Sequence, residues 1–591
     1  KMETGMQRKQ LWRIAAMALL AVVSTAAFTH LGIALWRYFT LPAPSPPIDT
    51  PLLAPQPAPP PPAPLTLGTY APDLHPDARY GPYFTGAPSA TDPIVTAPLL
   101  LAFQALLTQY TLRQAVDDNF TIRIYDTRTG RELTRYELTD WRQRYVEQGN
   151  MDWDAVDRVR REITRNLLDH FAARGHARST LQARWGRATQ VKEAFQRALP
   201  YLEYEIRLAR SLNLSLLSTA VGVVETFNDD RQVSPAGARS RYQLMPYLLR
   251  QYGIHHYKLP TAYGNTVQVA EEWHPLLTME PAFLVMRAYT NAVGHEIPGL
   301  SAYHTGPANL FRIYRAFLTE GIQYLRPSAT VVDAFVWALT EGFSQLSAST
   351  SFRNYSRGYV PSLYGTVRAL EHLPLDTSHT VQAELVQVVT KQPFYLSDLL
   401  RALQQAGGDT LDWHVAAKGS SLYHRFRLLN PHFQLPSAAQ GGVPPNGDIR
   451  FVSSAQQPPI RLFLPLGATE RLEAIGFTGL ELLRRYDHQT YHPEELQEVT
   501  NWDQTYALLV EEISHFGFTR QNRALLDTLV VRFETLAAQQ PTPYRLRQLQ
   551  IIRTHARLWR FDAWEQLAQA AEAATGRLRL PARPPENALS E

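Results

Sequence analysis

Along most of this chain apolar residues recur every three or four positions, the spacing that gathers them on one face of a helix. Residues 99–116 (LLLAFQALLTQYTLRQAV), 152–172 and 187–211 follow it, the last as one long amphipathic helix. Between the first two, residues 120–138 (FTIRIYDTRTGRELTRYEL) alternate with a period of two around Thr129-Gly130, which predicts a hairpin. Residues 212–230 (LNLSLLSTAVGVVETFNDD) form an apolar, nearly uncharged run that predicts a buried helix. Further on, 393–407 predicts a helix, 448–454 and 460–467 two short strands, and about 480–576 two or three amphipathic helices. The pattern is that of a mainly α protein with helical flanks and a small α+β module.

Two stretches break the pattern. Residues 14–36 carry 23 residues with His30 as the only ionisable group, enough to span about 30 Å of hydrocarbon. Arg8, Lys9 and Arg13 precede the run, and Trp36 and Tyr38 close it, so a single-pass anchor with its N-terminus in the cytoplasm is expected. A cleaved leader is the rival, with Ser24-Thr25-Ala26-Ala27 near the cut, although the apolar run continues past them. Both export the remainder to the periplasm or envelope. Residues 42–64 are dominated by proline and predict an extended spacer.

A length of 591 residues implies roughly three or four domains. With 58 basic against 54 acidic residues and no basic run interleaved with aromatics, nucleic-acid binding is excluded. Cysteine is absent, which removes disulfides, thiolate metal ligands and a thiol nucleophile from these residues.

The first acidic residue of the apolar run, Glu225, falls on its last turn. Apolar walls disfavour the ionised carboxylate and raise its pKa, and glycosidic cleavage needs a carboxylic acid still protonated near neutral pH. A helix-terminal glutamate turned to water fits these residues equally well. Ser234-Pro235 then reads as a helix start, serine capping and proline first.

The run VVETFNDDRQVSPAGARSRYQLMP, 223–246, resembles the lytic transglycosylase (SLT) domain with a goose-type lysozyme-like fold. The match is carried by Glu225, Ser234, Gly237, Ala238, Gln243, Met245 and Pro246. SAYHTGPANLFRIY (301–314) and RGYVPSLYGTV (357–367) resemble two later motifs of that family, in the same order. The resemblance implies that Glu225 protonates the glycosidic oxygen between MurNAc and GlcNAc. It then serves as base on the MurNAc C6 hydroxyl, closing a 1,6-anhydro ring. It further implies Tyr303 and Tyr359 in the pocket and Ser234, Gln243 and His304 on sugar. Thr226 is grouped with them, keeping a hydroxyl where the family has serine. No cofactor and no metal are implied.

Ser240-Arg241-Tyr242 and His304 depart from the family pattern, and large side chains at 240–242 are expected near the cleft. Two alternatives stay open: a catalytically degenerate wall-binding scaffold of an envelope assembly, and a hydrolase in which Asp229 or Asp230 activates water. His255-His256 and Glu272/His274 lack a His-Glu-x-x-His spacing and are expected in a solvated loop. Finally, 422–433 with Asn430-Pro431 resembles part of a LysM-like glycan-binding module, and Gly408-Asp409-Thr410-Leu411 resembles its opening. The layout is similar to that of membrane-bound lytic transglycosylases of the D type. The expected organisation is a cytoplasmic N-terminus (1–13), an inner-membrane signal-anchor (14–36), a linker (37–66), a helical N-terminal domain (67–186), the catalytic domain (187–375), the module (376–479) and a helical C-terminal part (480–591). Expected partners are peptidoglycan strands, the membrane through the N-terminal helix, and envelope-assembly proteins.

Overall fold

The spacing at 99–116 becomes helix α1 (Ala97–Thr111), which runs into a π-turn over Leu112–Val116. The computed structural model describes residues 65–85, 97–149, 151–293, 295–324, 331–349, 351–414, 420–438, 442–491 and 520–539, with 541, 546, 549 and 553. The apolar run 14–36, the linker up to residue 64 and most of the chain after 491 lie outside these residues. Among the described residues no helix is long and apolar enough to cross a membrane.

The alternating segment forms strands β1 (Thr121–Asp126) and β2 (Glu132–Glu137), with Thr121 opposite Glu137. Helix α2 (Trp153–Ala173) follows, its first turn capped by the Asp152 side chain. A strand the sequence did not announce, β3 (Leu181–Trp185), pairs with the other edge of β1 to give the order β2-β1-β3. Phe120, Ile122, Ile124, Leu138, Val156 and Leu181 make a small core of their own.

Helix α3 (Ala188–Ser211) then leads to the short α4 (Val221–Thr226), which ends on Phe227 in the left-handed region. After α5 (Pro246–Gln251) come a hairpin of β4 (His256–Pro260) and β5 (Thr266–Ala270) and helices α6 (Pro275–Val293), α7 (Glu296–Thr305) and α8 (Pro307–Glu320). Gly306, with φ +82°, turns the chain between α7 and α8, and Pro307 starts α8 where a missing N–H costs nothing. Helix α9 (Asn354–Leu370) packs on α1, and Gly365 makes the approach possible: a Cβ there would lie 2.6 Å from the Tyr110 carbonyl oxygen. Gly365→Ala is therefore expected to destabilise the protein by about 1–3 kcal/mol. The effect should be read as a lower denaturant midpoint with an unchanged m-value.

Beyond residue 376, strand β6 (Ala383–Val388) precedes β7 (Phe394–Tyr395), α10 (Leu396–Gln405), α11 (Leu422–Leu429), β8 (Arg450–Phe451), β9 (Arg461–Leu464) and β10 (Leu480–Tyr486). The sheet order is β10-β6-β9, antiparallel throughout. Two expectations are corrected here. Residues 480–486 belong to this sheet rather than to a C-terminal helix, their exposure alternating with the strand period. Gly408–Thr410 forms a turn after α10 instead of opening the module. Asn430 fastens α11 to the sheet: its amide donates to the Phe463 carbonyl at 2.8 Å and its oxygen accepts the Phe463 N–H at 2.7 Å.

The expected division at 186 and 375 also changes. One apolar core runs from Leu67 to Tyr491, joining α1, α3 to α9 and the β6 sheet. Residues 120–185 stand apart, with a separate core.

Candidate active site

Helix α4 carries Glu225 on its last turn, with Val221, Val223 and Val224 buried beside it. Burial pushes the Glu225 carboxyl up to about 7, and the nearby Tyr359 hydroxyl, which favours the ionised form, only partly offsets that. Among the described residues no second carboxylate and no cation acts on it.

An aromatic group surrounds this acid. Tyr303 and His304 come from the last turn of α7, Tyr355 and Tyr359 from the first turns of α9. The His304 ring stacks on Tyr359 at 4.8 Å and meets Tyr355 edge-on at 4.7 Å. Burial, helped by the negative charge of Glu225, keeps the hydroxyls of Tyr303, Tyr355 and Tyr359 protonated. The Tyr359 hydroxyl is buried and completes no hydrogen bond of full geometry among the described residues, leaving a donor beside the acid. Burial lowers His304 to about 4, so it is a neutral ring at physiological pH.

The loop after α4 does not form the expected helix at Ser234-Pro235. Val233 and Leu244 each bridge to Arg239, and Ser234 caps a tight turn by accepting the Ala238 N–H at 3.0 Å. Four non-glycine residues around it, Phe227, Asn228, Ser240 and Gln243, hold positive φ, a strained backbone of the kind that clusters at functional sites. Gln243 bonds to the Ser240 and Gln232 carbonyls, and among the described residues neither Ser234 nor Gln243 bonds to Glu225. Thr226 turns inward: its hydroxyl donates to the Gly222 and Arg241 carbonyls and accepts the Asp229 N–H, so it ties the loop to α4. Tyr303 holds the other side, donating to the Tyr242 carbonyl at 2.5 Å.

The large residues expected at the cleft are in the core. Arg241 is 1% exposed and paired with Asp230 at 2.6 and 2.9 Å, while the Tyr242 hydroxyl donates to buried Glu205. Asp230 is thereby occupied, and Asp229 is exposed and caps the Arg231 N–H. Of the histidine and glutamate pairs, Glu272 and His274 are buried rather than solvated, whereas His256 is exposed and His255 half-buried. Glu271 is buried against Arg461, His256 bonds Glu272 at 2.7 Å, and His274 stacks on Phe463 and bonds the Leu429 carbonyl. Among the described residues no group of three such side chains could hold a metal ion.

Glu225, Tyr303, His304 and Tyr359 thus converge, whereas Thr226 serves the scaffold. Tyr355 was missed, yet it stands four residues before Tyr359 on one helix, a spacing that puts both rings on the same face. No model of a known protein family matches the sequence, and no curated protein matches it.

Proposed function

We propose that the chain is a peptidoglycan lytic transglycosylase that cleaves the MurNAc–GlcNAc bond without water, through Glu225 in a lysozyme-like catalytic domain. The observation that carries this reading is a single desolvated carboxyl, held near neutral pKa, with tyrosine hydroxyls around it and, among the described residues, no second carboxylate acting on it. One such acid suffices when the attacking hydroxyl belongs to the substrate. It protonates the leaving oxygen, then accepts the proton of the C6 hydroxyl as that oxygen closes on the anomeric carbon. A hydrolase with two carboxylates needs a free base across the cleft, and the two candidates are engaged or exposed elsewhere. The scaffold alternative loses one of its motives because Arg241 and Tyr242 do not crowd the site. Residues 14–36 serve as the inner-membrane anchor in this reading, and the β6 sheet with α10 and α11 as a LysM-like glycan contact in the envelope.

Digestion of purified sacculi by the full chain, followed by mass spectrometry, tests the reading. Muropeptides one water lighter than hydrolysed ones are expected; reducing ends or intact sacculi would overturn it. Tyr359 refines the test. Tyr359→Phe removes a hydroxyl that favours the Glu225 carboxylate, so the alkaline limb of the rate profile should move to higher pH while the rate falls about tenfold or more. An unmoved limb would mean that Tyr359 only packs.

A further inference from the structure

Between the small sheet and the start of α9 lies a cavity of about 970 Å³. Its wall carries Arg128, Arg353 and Arg357 against one carboxylate, Glu341, which already accepts the Tyr324 hydroxyl. Arg128 is paired with Asp126. Behind the wall stands a second rank of guanidinium groups. Arg184 lies 3.9 Å over the Tyr110 ring, held by the cavity-lining Gln109 and Gln182; Arg113 lies over the same ring at 5.8 Å; Arg187 lies over Phe227 at 5.2 Å. Among the described residues none of Arg113, Arg184, Arg187 and Arg357 has a carboxylate partner.

Such an arrangement is costly to fold. Burial, helped by repulsion from Arg187 and Arg184, brings Arg113 down to about 9, and burial with repulsion from Arg184 brings Arg357 to about 10. Arg113 and Arg357 donate to the Trp185 and Leu339 carbonyls, so these partly buried cations, from three separate parts of the chain, are held by neutral groups alone, which points to a missing anion. The cavity also shares Tyr355 with the group around Glu225, and Tyr355 senses Glu225, Arg187 and Arg113 together. Through Tyr355 the cavity adjoins the group around the acid. The Asn354 side chain on the same wall is exposed and can bond amides.

We propose that this cavity is a subsite for the peptide stem of the glycan strand, its carboxylates received by Arg353 and Arg357. The proposal rests on the transglycosylase reading for the identity of the strand. It gives the segment 120–185 a part in choosing substrates: strands that carry stems are held, and bare ones are not.

The test uses the full chain, the double variant Arg353→Gln/Arg357→Gln and the single variant Arg353→Gln, whose exposed side chain leaves packing untouched. Substrates are glycan strands with their stems and strands stripped of them by an amidase. The ratio of rates on stem-bearing to stripped strands should fall about tenfold in the double variant and less in the single one. An equal loss on both strands, or no change, would overturn the proposal. Co-sedimentation of the same variants in a Glu225→Gln background reads the preference without turnover. It keeps the subsite testable if the chain cleaves neither strand and the enzymatic reading fails. Inorganic phosphate at constant ionic strength is the competing anion: selective release of stem-bearing strands supports the subsite, and equal release of both strands marks a general anion site and overturns it.

Discussion

Glu225→Gln is expected to lower the rate of glycan cleavage by about a thousandfold or more, because in the proposed mechanism Glu225 serves as both acid and base. The same substitution should leave the fold intact and make it more stable above neutral pH. The reason lies in the sign of the shift. The Glu225 pKa rises from 4.5 unfolded to about 7 folded, so the folded state favours the protonated form. The stability that goes with this preference is complete below the unfolded value and is lost as pH rises through the folded one. A neutral glutamine escapes that loss. At about pH 8 the variant should exceed the parent by up to about 3 kcal/mol, and at about pH 5 by less than about 1. Activity of the parent should decline over the same alkaline window, as the acid loses its proton. Equal stability of the two proteins across the range would mean that the carboxyl is hydrated and not poised for acid catalysis.

Asp230→Asn is expected to destabilise the chain by about 3–5 kcal/mol, since it strands the buried Arg241 guanidinium without a carboxylate. One Arg241 nitrogen is already buried without a partner, which leaves little room for compensation. The loop that Arg241 anchors carries Gln243 and the Tyr242 carbonyl that positions Tyr303, so activity should fall with stability. The product type should not change, because Asp230 has no chemical step in this account. Replacing both partners by apolar residues, Asp230→Leu with Arg241→Met, should cost less than Asp230→Leu alone. Additive losses in that cycle would show that the pair contributes independently, and reducing-end products from the parent that disappear in Asp230→Asn would restore it as a catalytic candidate. Thermal or urea unfolding with product analysis reads all three outcomes.

Glu225 was legible in the sequence because the cause of its shift is local. Its apolar neighbours lie within one turn of α4, and the spacing of Val221, Val223 and Val224 is enough to predict burial. The loop after it was not legible. Ser234-Pro235 has the chemistry of a helix start, but the bridges of Arg239 to Val233 and Leu244 take the backbone bonds that a helix would need. Which way Arg241 and Tyr242 face depends on Asp230 and on Glu205, the latter supplied by α3 thirty-six residues before Arg241. Strand β6 was missed for a similar reason. Its partners β9 and β10 lie far along the chain, and a run buried on both faces shows no alternation. The arginines around Tyr110 are single residues in unrelated segments, and nothing short of the fold brings them together.

The identity of the attacking oxygen separates this account from its rivals most directly. Sacculi digested by the full chain in heavy-oxygen water should release fragments with no label at the newly formed MurNAc end, because the C6 hydroxyl of the same sugar closes the ring. One labelled oxygen per cleaved bond would contradict the account and make the protein a hydrolase, with a water-activating group still to be found opposite Glu225.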